Sequence, residues 1–215
     1  MKSAVKPRMI YQTDETRDKI LAVARQLFTE QGLFDTQMLD VAAALGMSRT
    51  TLYRYFQDKL DLALGVLGIL VVELHGAWRD PGSASGLSAR ERLGLYLKQV
   101  WANDGEFTPH LRFLAEFDAF FSGARIPPGF RDKLAALLPE EGDPVLLSLV
   151  IEAQADGSIR TGLDAHLTMA TLVNAVRGLQ QRLELRGEVL VELHPREAGR
   201  LVDEALDYLL RGLAP

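Results

Sequence analysis

The sequence predicts an all-α chain: an N-terminal three-helix unit containing a helix-turn-helix, followed by a larger α-helical body. Three observations predict it. Almost every periodic segment places apolar residues at i, i+3, i+4 spacing. No segment keeps the period-two alternation of a half-buried strand. Residues 38–56 match two short helices crossing over a glycine turn.

The elements follow in order. Ile20, Val23, Ala24, Leu27 and Phe28 share one face of a first helix. Thr13 is placed to cap it, Asp14 and Glu15 sit in its first turn, and Gly32 suits its C′ position. A short helix over 37–45, Gly46, and a third helix over 49–56 with Ser48 as N-cap come next. Asp58 is placed to cap a long fourth helix running towards Trp78. Asp80 to Gly86 is a loop. Helices are predicted over 88–103, 109–121, 145–155, 163–186 and 195–213, with breaks at 126–129 and 139–144. The domain reading is a helix-turn-helix unit over 1–60 and a body over 61–215, divided within or near the fourth helix.

The helix-turn-helix reading rests on six positions that agree. Ala42 supplies the small residue where two helices touch, and Gly46 tolerates the positive φ of the turn. Val41, Leu45, Met47 and Leu52 make the inward face apolar. Charge is consistent with a DNA reader on a separate body. The chain carries −5 in total, yet residues 1–60 hold nine basic against seven acidic groups, and residues 61–215 hold 15 against 22.

Several function classes are excluded. With no cysteine there is no disulfide framework, thiolate zinc site or thiol nucleophile, which fits a reducing cytoplasm. His75, His110, His166 and His194 are scattered singly, unlike hydrolytic metal ligands. The nearest approach to a nucleophile elbow, Gly82 to Gly86, has Ala84 at the nucleophile position. The chain therefore reads as no enzyme, with no metal and no cofactor. Met1 to Ile10 has no apolar run, and Leu62 to Val72 is too short to span a bilayer.

Ser48-Arg49-Thr50-Thr51-Leu52-Tyr53-Arg54-Tyr55-Phe56, then Asp58-Lys59, closely resembles the signature of the tetracycline-repressor family. So does Gly32-Leu33-Phe34-Asp35-Thr36 ahead of Val41-Ala42. The resemblance covers roughly Thr16 to Leu67, a quarter of the chain. One departure is Gln37, which stands where the family has Thr or Ser, so that Thr36 is left to take the cap. The DNA-contacting set is then Thr36, Gln37, Ser48, Arg49, Thr50, Thr51, Tyr53, Tyr55 and Lys59. Arg49, Thr50 and Thr51 open the helix that enters the major groove, where arginine can pair with guanine and threonine methyls can pack on thymine. Tyr53, Tyr55 and Lys59 look, by resemblance, like phosphate clamps. Lys2, Lys6 and Arg8 form either an additional basic arm or a solubilising tail. Leu52 and Phe56 read as core, Tyr53 as contact or half-buried packing, and Arg54 as contact or solvated charge.

The resemblance also implies a homodimer on a palindromic operator and a small-molecule effector. Leu172, Val176, Leu179 and Leu183 form one apolar stripe, and Ala198, Leu201, Val202, Ala205 and Leu209 another. They either make a four-helix interface between two chains or face the chain's own core. Trp101, Phe113, Phe117 and Asn174 are the expected pocket residues; equally, aromatics at helical spacing can be core. The aromatic middle favours an apolar or aromatic effector, although a protein or peptide signal is an open variant. Activation remains open beside repression, because the sign depends on operator position. An effector-independent architectural DNA-binding protein is the alternative.

Overall fold

The computed structural model describes residues 15–77, 80, 82, 86–101, 108–138, 143–186, 189–191, 194 and 197–215. The expected basic arm of Lys2, Lys6 and Arg8, the Thr13 cap and the side chain of Trp101 lie outside what is described. Among the described residues the chain is all-helical, with no strand. The helices are α1 (Glu15–Glu30), α2 (Met38–Ala44), α3 (Arg49–Tyr55), α4 (Lys59–Ala77), α5 (Ala89–Trp101), α6 (Thr108–Phe120), α7 (Phe130–Ala135), α8 (Pro144–Ala155), α9 (Ala165–Arg186) and α10 (Ala198–Gly212). None of the described helices is long and apolar enough to cross a membrane.

The starts of these helices follow from local chemistry. Asp58 accepts from the Asp61 amide at 2.8 Å and opens α4. Ser88 and Glu91 form a reciprocal capping box at α5, with the Ser88 amide donating to Glu91 at 2.8 Å. Asp143 accepts from the amides of Val145 and Leu146 ahead of Pro144 at the first position of α8. The same carboxylate accepts from the Tyr96 hydroxyl at 2.6 Å, which ties α5 to that cap.

Two apolar cores are formed. The first joins Ile20, Leu21, Ala24 and Phe28 of α1, Val41 and Ala42 of α2, Leu52 and Phe56 around α3, and Leu62, Ala63, Val66 and Leu70 of α4. It continues into α6 through Phe113 and Phe117. This core runs straight past residue 60, where the sequence places the division between head and body. The reason is that α4 is apolar on nearly all sides: Leu60, Leu62, Ala63, Leu64, Val66, Leu67 and Leu70 are all buried. At Gly65 the approach of α1 is closest, since a Cβ there would stand 2.6 Å from Leu21 Cδ2. The second core joins α5, α8, α9 and α10 around Leu93, Tyr96, Leu97, Leu146, Val150 and Leu206.

Helix α7 is an element that the sequence reading leaves out between two proline breaks. Phe130 anchors it, with its ring centroid 6.1 Å from that of Phe117 and 5.7 Å from that of Phe121.

The expected interface stripes divide by burial. Leu172, Val176 and Val202 are buried in the second core, and Leu179, Leu183 and Leu209 pack against it half-buried. Leu201 and Ala205 are half-buried too. The outward faces of these helices instead carry Leu167, Leu185 and Tyr208, which are 67%, 50% and 65% exposed. The cause is that α9 carries apolar residues on two sides, and periodicity does not say which side meets the chain's own core.

The expected pocket also disperses. Phe113 is fully buried and Phe117 nearly so, both inside the first core. Phe113 stacks on Phe28 with ring centroids 5.8 Å apart. Asn174 is exposed and spends its amide on the Ala170 carbonyl at 2.8 Å, a bond within its own helix.

Candidate nucleic-acid interface

The helix-turn-helix is built from backbone bonds that the sequence dictates. After α2 the Gly46 amide donates to Ala43 O at 3.0 Å and the Met47 amide to Ala42 O at 3.0 Å. This paired closure requires a left-handed residue at its centre, and Gly46 has φ of 63°. Ser48 follows with extended backbone and accepts from the Thr51 amide at 3.1 Å, which starts α3.

Helix α3 is divided by the pattern of burial. Leu52 and the following Phe56 are fully buried and fix it to the first core. Ser48, Arg49, Thr50, Tyr53 and Arg54 are exposed, and Thr51 is half-buried. Arg49 lies over the Tyr53 ring, its guanidinium carbon 5.2 Å from the centroid. This stacking holds a flexible side chain at the entering end of the helix while leaving its donors outward.

The remaining predicted contacts divide. Gln37 is exposed and is the true N-cap of α2: its amide donates to Asp40 Oδ2 at 2.6 Å, in a capping box. Thr36 is a correction. It is fully buried, and its hydroxyl donates to Gly32 O at 2.8 Å, so it holds the α1–α2 corner and neither caps α2 nor faces DNA. Tyr55 is half-buried against the first core. Lys59 turns towards α6, donating from Nζ to Phe34 O at 3.3 Å with the ammonium 4.7 Å from the Phe120 ring centroid. Burial lowers its pKa, opposed by the nearby carboxylates of Asp35, Asp40 and Glu116.

Arg17, which the sequence reading passes over, and Glu116, which it places among the polar groups of the aromatic middle, complete the support. Arg17 donates to Tyr55 O at 3.1 Å and lies 4.2 Å over the Phe56 ring, so α1 pins the C-terminal end of α3. Glu116 of α6 accepts from the Leu33 amide at 2.5 Å. Neither has a local signal, because their partners lie 38 and 83 residues away.

Among the described residues, no group of three or more histidines, aspartates or glutamates is placed to hold a metal ion. A short helix presenting Arg, Thr and Tyr outward after a glycine turn, held on a helical body, is the architecture of a helix-turn-helix unit. The model of the family "Bacterial regulatory proteins, tetR family" matches residues 20–66. The HTH-type transcriptional regulator AcrR of Shigella flexneri is 43% identical over 51 residues, 24% of this chain and 24% of that protein. The match thus spans about a quarter of that relative's length. A solved TetR-family transcriptional regulator from Rhodococcus is similar along nearly the whole chain: 25% identity, 92% of this chain and 100% of that one, TM-score 0.63. Thermus thermophilus FadR, a TetR-family repressor solved with lauroyl-CoA, shares the fold at 20% identity, covering 93% of this chain and 95% of that one, TM-score 0.63. Residues 20–66 thus match the tetR family model, and the fold of the whole chain is similar to that of solved TetR-family regulators. The family and these relatives are transcriptional regulators, not enzymes.

Proposed function

We propose that the chain is a homodimeric, cytoplasmic transcriptional repressor that reads a palindromic DNA operator and is released by a small apolar or aromatic effector. The observation that carries this is the two-sided character of α3. Leu52 and Phe56 lock it to the core, while Ser48, Arg49 and Thr50 stand exposed at its N-terminal end. Arg49 supplies bidentate donors for a guanine and Thr50 a methyl for a thymine. Ser48, Thr51, Tyr53 and Gln37 supply phosphate contacts that fix register. Tyr55 and Lys59 contribute through packing that orients α3.

A single seven-residue helix touches few bases, so two copies at fixed spacing are needed. The outward face of α9 and α10 suits such pairing: Leu167, Thr171, Gly178 and Leu185 on one helix, Leu201, Ala205 and Tyr208 on the other. At Gly178 a Cβ would meet nothing within 4 Å, which leaves room for a partner helix. For the effector, the support is the lauroyl-CoA held by the FadR relative and one polar side chain in the body. Gln180 of α9 is buried in the body.

The test is binding to genomic fragments from beside the gene across a salt series. Tight binding to one palindromic site, weakening steeply with salt, supports the reading. Weak, equal binding to every fragment favours the architectural alternative. Absence of binding at low salt refutes the DNA-reading role. With the operator in hand, candidate effectors are screened for release.

A further inference from the structure

A buried carboxylate lies at the joint between head and body. Glu116 lies within α6 and is 7% exposed. Its Oε2 accepts from the Leu33 amide at 2.5 Å and its Oε1 from Arg112 Nε at 3.0 Å. Leu33 is fully buried, so its amide has no water to turn to. Beside it, a Cβ on Gly32 would stand 2.9 Å from Oε2 and 3.1 Å from Oε1, with φ already at 94°. The carboxylate fills the space that a side chain would take.

That corner is the base of the helix-turn-helix. Gly32 O accepts from both the amide of Thr36, at 3.2 Å, and its hydroxyl, and the next residue starts α2. Arg25 Nη2 of α1 also meets His110 Nε2 of α6 across the joint, at 3.1 Å, and further contacts there are aromatic or cation–π. Phe28 meets Phe113, Phe34 meets Phe120 edge-on at 5.1 Å, Lys59 lies over the Phe120 ring, and Arg125 lies 6.0 Å over the Phe34 ring. Such contacts resist separation but tolerate sliding, because apolar attraction has no preferred direction. A charged acceptor on a buried amide tolerates little.

We propose that Glu116 is the positioning residue that sets the orientation of the helix-turn-helix on the body. Its consequence for DNA rests on the operator-binding reading above; its consequence for geometry does not. Glu116→Ala leaves the Leu33 amide buried without an acceptor, whereas Glu116→Gln keeps an acceptor at the same place.

The experiment measures both consequences. The chain has no cysteine, so spin labels can be placed at Ala43→Cys on α2 and Ala155→Cys at the end of α8, both exposed. Labelled protein is diluted with unlabelled chain so that one protomer's pair is read. The expected result is a narrow distance distribution in the parent and in Glu116→Gln, and a broadened or shifted one in Glu116→Ala. Operator affinity then falls about tenfold in the alanine variant, the scale of a lost hydrogen bond to a charged group. Low-salt affinity for non-operator DNA stays unchanged, which a merely misfolded head would not allow. If Glu116→Ala does not fold, Glu116→Asp withdraws the acceptor by one methylene and carries the same expectation. A parent-like distance distribution in the shortened variant overturns the proposal. A parent protein that recognises no operator refutes the regulator reading alone, since the distance measurement uses no DNA.

Discussion

Phe113→Ala decides whether the aromatic middle of the chain is core or pocket. Phe113 is fully exposed to neither solvent nor cavity: its relative exposure is 0%, and its ring contacts those of Phe28 and Phe117, with centroids 5.8 and 6.0 Å away. Truncation removes the buried ring from water-excluded packing and leaves a hole between α1 and α6. Buried Phe→Ala substitutions cost about 3–5 kcal/mol, of which the residual cavity is part. The lost aromatic pairings place Phe113 towards the upper half of that range, at about 4 kcal/mol. For a chain of this length each kcal/mol lowers the melting temperature by about 2–4 °C, so the midpoint should fall by about 8–16 °C. The assay is urea and thermal unfolding at one fixed protein concentration, because an associating protein has a concentration-dependent midpoint. A dry apolar hole should also accept benzene, which then raises the midpoint of the variant but not of the parent. A loss below about 1 kcal/mol would refute the reasoning and return Phe113 to the wall of an open ligand site.

Three further outcomes follow from the same structure. Ser48→Ala removes the cap of a seven-residue recognition helix and should cost about 1 kcal/mol in unfolding free energy, together with weaker operator binding in titration. Arg92 is buried between Asp80, at 2.8 Å, and Glu152, and Arg92→Ala should cost about 2 kcal/mol in urea unfolding. That is less than for a fully buried pair, because both carboxylates are partly exposed and regain water. His110 meets Arg25 Nη2 at 3.1 Å, and Arg25 in turn pairs with Glu73 at 2.7 Å. Burial first, then the Arg25 charge, lowers the His110 pKa below 6.5, with Glu73 opposing. The unfolded chain therefore binds the extra proton as pH falls through 6.5, and the folded chain binds it only at lower pH. Stability should fall with acidification across that window, and His110→Gln should flatten this slope in unfolding measured from pH 7.5 to 5.

The sequence by itself determined whatever depends on near neighbours. The helical period, the Gly46 turn, the Ser48 and Asp58 caps and the inward set from Val41 to Leu52 all act within a few residues, so spacing suffices to read them. Local pattern also marked Arg49 and Thr50 as outward, because their burial follows from the period once Leu52 and Phe56 are core. Only the tertiary structure decided the rest. Thr36 read as a cap beside Gln37, yet it is buried, because the corner it closes is made by α1 and not by α2. Lys59 read as a phosphate clamp, yet Phe34 and Phe120 draw it into the joint. Leu172, Val176 and Val202 read as an interface or as the chain's own core, and they lie buried in the second core. A helix with apolar residues on two sides offers both to any partner, and which side each partner takes is fixed by where the other helices fall. Glu116 shows the limit most clearly: it reads as a polar group interleaved with the aromatics of the middle helices, and only an amide 83 positions away makes it a buried anchor.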